Sequence, residues 1–176
     1  MAEKKKVPPR LTPDRDSKYM GLAWMMAGFS KDPSTQIGSM IINSDNRPLG
    51  WGYNGPPRAI DDNSFSWERP EKYDYVKHAE DNALCHSHGC LDEATLYVTG
   101  LPCKACMLDI VDSGIKRVVY MDKKYDASSM QAQQDDINRV HDIAQKANVK
   151  LEKFKGNIGW IQDWVMHLKA LGIFDL

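Results

Sequence analysis

The sequence has no apolar run long enough to span a lipid bilayer and no excess of either charge. Its 176 residues carry a formal net charge of −1 at neutral pH. A protein that coats nucleic acid needs a basic surface to neutralise phosphates, so this balance argues against a stable nucleic-acid partner. The net charge does not exclude a small anionic substrate, which needs only a local cluster of donors. The length fits one domain with a full hydrophobic core.

Cysteine is scarce, and residues 1–15 lack the apolar segment of a secretory signal. Two of the four cysteines belong to the pattern described next, which requires thiolates and therefore a reducing compartment. We expect a soluble cytoplasmic protein, in the host cytoplasm if the chain is viral, with no membrane partner. The polar residues 1–16 predict a flexible N-terminal arm.

Two short patterns carry the chemistry of the chain. His78 and Glu80 form an H-x-E pattern, and Cys103 and Cys106 follow Pro102 in a P-C-x-x-C pattern. In this order they are the signature of zinc-dependent nucleobase deaminases. One imidazole and two thiolates can bind Zn²⁺ while leaving its fourth position for water, and a carboxylate beside the metal can move protons. We predict one catalytic Zn²⁺ per chain, bound by His78, Cys103 and Cys106, with Glu80 as the proton shuttle.

Other interpretations of the cysteines remain. A structural zinc site usually has four Cys or His ligands, and Glu80 would then have no purpose. A redox Cys-x-x-Cys pair would leave the H-x-E pattern unexplained. The segment 85–90 contains two cysteines and two histidines and could hold a second zinc. Its ligands are tightly spaced, however, and Cys85 is expected on the buried side of a helix that begins at Ala79.

Hydrophobic periodicity predicts helices that alternate with strands. Strands are predicted at 37–42, 49–53, 95–99, 117–121 and 149–154. Helices are predicted at 18–29, 78–86, 104–113, 127–147 and 158–171, with a long polar loop at 54–72. This order predicts an α/β fold with one sheet covered by helices on both faces. The two halves of the zinc motif would then lie at the N-termini of neighbouring helices.

Two of the predicted helices have apolar stripes. The helix at 18–29 has seven residues at the spacing of a buried face: Tyr19, Met20, Leu22, Ala23, Met25, Met26 and Phe29. The C-terminal helix has one apolar face, formed by Trp160, Ile161, Trp164, Val165 and Leu168. We expect a deaminase domain at 17–155 and a helical segment at 156–176 that packs on this domain or at a subunit interface.

The segments that flank the motif resemble the deoxycytidylate deaminase family. Residues 30–38 (SKDPSTQIG) are similar to its SKDPxxQVG stretch, and residues 52–58 (GYNGPPR) to its GYNGxP loop. Residues 75–83 (YVKHAEDNA) are similar to its YxxHAELNA segment. The first two segments are more specific to this family than the zinc motif, which other deaminases share.

The resemblance implies the cytidine-deaminase fold, a three-layer α/β/α sandwich with a five-stranded mixed sheet. It implies hydrolytic deamination of dCMP to dUMP with release of ammonia, which would supply dUMP for thymidylate synthesis. It also implies a homo-oligomer, usually a hexamer with a dimer or trimer as alternatives, and regulation by dCTP and dTTP with Mg²⁺. Alternative substrates are dCTP, a 5-substituted dCMP, and single-stranded DNA or tRNA. A catalytically inactive binding module is a further alternative, against which the complete ligand set argues.

The resemblance also implies binding roles outside the zinc motif. Asn54 matches the asparagine that bonds the nucleoside at the sugar, and Tyr125 lies where members have an aromatic residue near the substrate phosphate. Lys31 and Arg58 are candidate phosphate ligands, for substrate or effector. Each has a structural alternative: a turn residue before Gly55 for Asn54, a half-buried ring for Tyr125, and solvated side chains for the two cations.

Three departures from the family pattern bear on function. Asp81 replaces the leucine that follows the glutamate, which adds negative charge near the site. Ala59 and Ile60 replace a glycine-containing segment that helps to hold the effector nucleotide, which reduces the backbone freedom of that loop. The tryptophan-rich tail at 156–176 has no counterpart in the pattern.

Overall fold

A five-stranded mixed sheet forms the centre of the protein. The computed structural model describes residues 13–121 and 130–170. In chain order, the strands are β1 Gly38–Ile42, β2 Pro48–Tyr53, β3 Thr95–Val98, β4 Arg117–Tyr120 and β5 Lys150–Lys153. In the sheet they lie in the order β2-β1-β3-β4-β5. Strand β1 is antiparallel to both of its neighbours, whereas the β3-β4 and β4-β5 pairs are parallel.

Helices flank the sheet. In the described ranges these are α1 Arg15–Ala27, α2 Ala79–Cys85, α3 Lys104–Asp112, α4 Met130–Lys146 and α5 Trp160–Ala170. A short 3₁₀ helix, Glu71–Asp74, lies in the long loop between β2 and α2. None of these described helices is long and apolar enough to cross a membrane.

Alternating strand residues pack against helices on the two faces of the sheet. On one face, Ile41 and Leu96 belong to a buried cluster with residues of α2, α3 and α4. On the other face, Met40 and Tyr97 belong to a second cluster with residues of α1. Successive residues of a strand point to opposite faces, so each strand contributes to both layers. The arrangement confirms the expected α/β/α sandwich.

Glycines allow two helices to approach the β1-β2 hairpin closely. A Cβ atom at Gly38 would overlap the backbone of α1 at Ala23, and one at Gly52 would overlap the backbone of α2 at Ala79. The Ser39 hydroxyl donates to the Ala79 carbonyl oxygen at 2.7 Å. The first turn of α2 is therefore fixed against the hairpin.

The predicted element boundaries agree with the observed ones to within about three residues, a normal margin for helix and strand ends. The predicted buried face of α1 is wrong at two positions, because Met25 is 46% and Phe29 is 60% exposed. Helix α1 packs on the sheet through the stripe that contains Met20 and Ala23, which places Met25 on the solvent side. Phe29 lies beyond the end of the helix.

The C-terminal helix α5 contacts α1 through Trp160. Its indole N–H donates to the Ser17 carbonyl oxygen at 2.9 Å. Trp164, on the same predicted apolar face, is 54% exposed, so this part of the face is not packed on the domain. The contact with α1 lies in the first turn of α5, and Trp164 lies about one turn later.

Candidate active site

The two halves of the sequence motif lie at the N-termini of two helices, as expected. His78 is the N-cap residue of α2 and Cys103 is the N-cap residue of α3, both with extended backbone angles. The Cys106 backbone N–H donates to Sγ of Cys103 at 3.5 Å. Free N–H groups and the helix dipole at an N-terminus stabilise a thiolate.

His78, Cys103 and Cys106 form a group that could hold a metal ion. Their ligand atoms lie within 4.8 Å of one another. Nδ1 of His78 lies 3.5 Å from Sγ of Cys103 and 3.3 Å from Sγ of Cys106. In tetrahedral zinc sites, bonds of about 2.0 Å to nitrogen and about 2.3 Å to sulfur separate neighbouring N and S ligand atoms by about 3.5 Å. The spacing and the donor types therefore fit zinc.

The charges of this group favour a bound cation. Hydrogen bonding with Cys106, followed by that with His78, lowers the pKa of the Cys103 thiol and favours its thiolate form, whereas the hydrogen bond with Cys103 and burial raise the pKa of Cys106. The hydrogen bond with Cys103 raises the pKa of His78 to about 9. The same negative sulfur that holds a proton on the imidazole would attract a metal ion in its place.

Glu80 lies on the first turn of α2 and is 4% exposed. Burial raises the pKa of its carboxyl to about 7. The carboxyl is absent from the metal-ligand group formed by His78 and the two cysteines. A carboxyl that is near the ligands and exchanges its proton close to neutral pH has the properties of a proton shuttle.

Glu80, His78 and Cys103 line one cavity of about 190 Å³. Loops that precede β1, follow β2, precede α2 and precede α3 form most of the remaining wall. Their polar side chains are those of Asp32, Thr35, Asn54, Arg69, Lys72 and Tyr73. The cavity thus combines the metal-ligand group, a buried acid and several polar groups that could orient a ligand.

Asn54 is held rigidly in the cavity wall. Its Nδ2 donates to the Thr35 carbonyl oxygen at 2.8 Å and to Oδ2 of Asp32 at 3.3 Å. Its Oδ1 accepts the backbone N–H of Ile37 at 2.8 Å. Both amide hydrogens are therefore engaged, and the carbonyl oxygen retains one lone pair for a ligand donor.

Asn54 contacts a buried ion pair through its hydrogen bond to Asp32. Nζ of Lys72 lies 2.8 Å from Oδ2 of Asp32 and 2.6 Å from Oγ of Ser34. The Lys72 and Asp32 side chains are only 3% and 2% exposed. Burial alone would raise the pKa of Asp32, but hydrogen bonds from Lys72 and Ser34 outweigh it and hold the pKa below its usual value.

Known proteins resemble this chain in both sequence and fold. The model of the cytidine and deoxycytidylate deaminase zinc-binding region matches residues 13–122. The chain belongs to this cytidine and deoxycytidylate deaminase family.

Individual relatives agree with the family assignment. Deoxycytidylate deaminases of Pongo abelii and Homo sapiens are each 35% identical over 143 residues, which is 77% of this chain and 77% of each relative. The crystal structure of the dCMP deaminase from the cyanophage S-TIM5 in complex with dCMP and dUMP matches with a TM-score of 0.61 and 25% identity. That match covers 82% of this chain and 99% of the phage chain. The resemblance noted in the sequence is thus confirmed.

Two sequence-predicted phosphate ligands lie outside the cavity of Glu80. Lys31 and Arg58 line a second, larger cavity of about 1100 Å³ together with Lys77 and His86. Lys31 also pairs with Asp62 on the surface. Tyr125 lies outside the described residues. Of the residues proposed from the deaminase family, Asn54 is therefore the one that the structure places beside Glu80, His78 and Cys103.

The segment 85–90 shows no second metal site. Among the described residues, His78, Cys103 and Cys106 are the only group of three candidate ligands close enough to share an ion. Cys85 is exposed, so the expectation that it faces the buried side of α2 is wrong. It occupies the last position of a short helix and borders the second cavity, where its Sγ accepts from Nζ of Lys77 at 3.1 Å.

Three charged residues of the cavity were not assigned from the sequence: Asp32, Arg69 and Lys72. Asp32 belongs to the SKDP segment, whose resemblance to the deaminase family was the one sequence feature that could have marked Asp32 as a site residue. Arg69 and Lys72 lie in the long loop before α2, where no periodicity or spacing distinguishes a functional cation from a solvated one. Their placement depends on the tertiary fold of that loop.

Proposed function

We propose that this protein deaminates dCMP to dUMP with release of ammonia, which would supply dUMP for thymidylate synthesis. One observation carries the proposal. A buried carboxyl and a zinc-fitting His/Cys/Cys group border the same cavity, in a chain that is 35% identical to deoxycytidylate deaminases over 77% of its length. His78, Cys103 and Cys106 are proposed as the ligands of one Zn²⁺.

Zinc and Glu80 have different roles in the proposed reaction. Zinc, when bound, supplies a Lewis acid that generates a nucleophile from water near neutral pH. Water adds across the C4=N3 bond of cytosine, with its oxygen bonded to C4, and Glu80 carries the released proton to N3. Glu80 then carries the remaining hydroxyl proton to the C4 amino group. The C4–N bond breaks, ammonia leaves, and a C4 carbonyl remains.

Asn54 is proposed to bind the nucleoside sugar. It lines the cavity, its carboxamide is fixed by three hydrogen bonds, and its oxygen accepts one of them and so retains one lone pair. A hydroxyl of the ligand can donate to that oxygen. Because the amide cannot rotate freely, little conformational entropy would be lost on binding.

The substrate class is tested by ammonia release. We expect turnover of dCMP and a value of kcat/KM for deoxycytidine that is lower by at least about 10- to 100-fold, because removal of the phosphate leaves its charged partner unpaired. The panel also contains dCTP, 5-methyl-dCMP, cytidine and a cytosine-containing oligonucleotide. Equal rates for dCMP and deoxycytidine would identify a nucleoside deaminase, and preference for the oligonucleotide would identify a polynucleotide deaminase.

Regulation by dCTP and dTTP with Mg²⁺ is part of the proposal and is assigned to the second cavity. Lys31, Arg58 and Lys77 offer three cationic groups there, and the cavity has room for a nucleoside triphosphate. We expect dCTP to remove the sigmoidal shape of the dCMP saturation curve and dTTP to oppose it, with coupling of about 1–3 kcal/mol. Arg58→Gln should weaken both effects. Hyperbolic curves that neither triphosphate moves would contradict this assignment.

The remaining expectations are also proposals. These are a cytoplasmic homo-oligomer (a hexamer, or a dimer or trimer), a role for Tyr125 near the substrate phosphate, and a deaminase domain at 17–155. The exposed rings of Trp24, Trp51 and Trp164 offer apolar surface for subunit contacts. Sedimentation velocity of the purified protein measures the oligomer directly.

A further inference from the structure

Arg69 is a cation of the active-site cavity that has no acidic partner among the described residues. The cavity wall contains two Lys or Arg side chains, Arg69 and Lys72. The Lys72 side chain is 3% exposed, and its ammonium forms an ion pair with Asp32 and a hydrogen bond with Ser34. None of the ion pairs within residues 13–121 and 130–170 includes Arg69, whose side chain is exposed.

The guanidinium of Arg69 is oriented by two neighbours, but most of its N–H donors make no hydrogen bond to them. Its Nη2 donates to Oγ1 of Thr35 at 3.3 Å, and its Cζ lies 6.0 Å from the centre of the Tyr73 ring. Both of these neighbours also line the cavity. A guanidinium has five N–H donors in a fixed fork, so one hydrogen bond leaves most of them available for an anion.

The residues that line the cavity differ in exposure. Glu80 is 4% exposed and lines the cavity together with His78 and Cys103, where the cytosine ring must react. Arg69 lines the same cavity and is exposed to solvent, and the fixed Asn54 is also in the wall. A base held against the buried Glu80 leaves the 5′-phosphate as the more solvated part of the nucleotide, within reach of an exposed cation of the same cavity.

We propose that Arg69 binds the 5′-phosphate of the substrate and thereby sets the preference for a nucleotide over a nucleoside. This inference rests on the proposed function and assigns the phosphate contact to a residue that the sequence comparison did not single out. A phosphate oxygen pair matches the donor fork of a guanidinium, and the charge-assisted bonds that result are stronger than neutral ones. Lys31 and Arg58, which line the other cavity, are then left to the effector.

The test compares substrates with and without the phosphate. Arg69→Gln should lower kcat/KM for dCMP by about 10- to 100-fold, because loss of a hydrogen-bonded charge on a phosphate costs about 1.5–3 kcal/mol. Turnover of deoxycytidine should change by less than about threefold, within what a neutral surface substitution allows. Arg69→Lys should recover part of the dCMP activity. Arg47→Gln, at an exposed arginine in the β1-β2 turn, is the matched control and should leave both substrates unchanged.

Product binding gives a second readout that does not need turnover. In calorimetric titrations, Arg69→Gln should weaken dUMP by the same factor and leave deoxyuridine unchanged. An equal loss for both ligands, or no loss for either, would overturn the assignment of Arg69. Failure of the wild-type protein to deaminate dCMP would instead overturn the proposed function, while the ratio of dUMP to deoxyuridine binding would still decide whether Arg69 binds a phosphate.

Discussion

Replacing Glu80 with glutamine should lower kcat for dCMP by on the order of 10²–10⁴-fold while zinc stays bound. The glutamine side chain has the same shape but cannot accept a proton from water or release one to N3. Glu80 is buried beside His78 and Cys103, so bulk water does not readily replace it as a proton carrier. Single-turnover rates at saturating dCMP, measured with zinc content on the same sample, check this result.

A second variant distinguishes loss of the proton shuttle from loss of the metal. Cys103→Ala removes one of the three proposed ligands and should lose both zinc and activity, whereas Glu80→Gln should lose activity alone. Elemental analysis separates the two. If Glu80→Gln retained turnover within a few-fold of wild type, another group would have to move the protons. If Cys103→Ala retained full zinc, the ligand assignment would be wrong.

The parts of the site that could be predicted from the sequence are those fixed by local geometry. His78 and Glu80 are separated by two positions, and Cys103 and Cys106 by three, so short-range spacing alone places each pair on one helix turn. The hairpin was also predictable, because an apolar run, a turn and a second apolar run follow one another directly.

The remaining parts of the site depend on contacts between distant segments. Asp32 and Lys72 are 40 positions apart and meet only because the long loop before α2 folds back over the SKDP segment. Lys31 and Arg69 look equally solvated in the sequence, yet one lies in the second cavity and the other in the first. No periodicity or propensity encodes which of the two cavities a loop cation will line.

The second large effect is expected on stability, from the buried ion pair of Lys72 and Asp32. Lys72→Met should reduce the free energy of unfolding by about 3–5 kcal/mol, because it leaves the Asp32 carboxylate buried without its partner. For a chain of this length the melting temperature should fall by on the order of 10 °C. Adding Asp32→Asn should restore much of the loss, since the double variant buries no charge. Thermal and denaturant unfolding measure both quantities.

Lys31→Met is the matched control for this effect. The same substitution is made in a lysine that also pairs with an aspartate, Asp62, but the Lys31 side chain is 71% exposed. Exposed pairs contribute about 0–1 kcal/mol, so the control should stay close to wild type. Equal stability of Lys72→Met and Lys31→Met would show that burial adds nothing to the Lys72–Asp32 pair.

The pH dependence of the Lys72→Met variant provides an independent check. In the wild-type protein the pKa of Asp32 lies below its usual value, so the pair stabilises the fold above about pH 4, near the usual pKa of an aspartate, and this contribution is lost as the pH falls. Without Lys72, burial is left to raise the pKa of Asp32 above that of the unfolded chain, and protonation at acidic pH then removes the penalty. The difference in stability between wild type and variant should therefore shrink as the pH falls from 7 towards 5. A difference that stays constant over this range would mean that the lost stability comes from packing of the lysine side chain and not from the charge of Asp32.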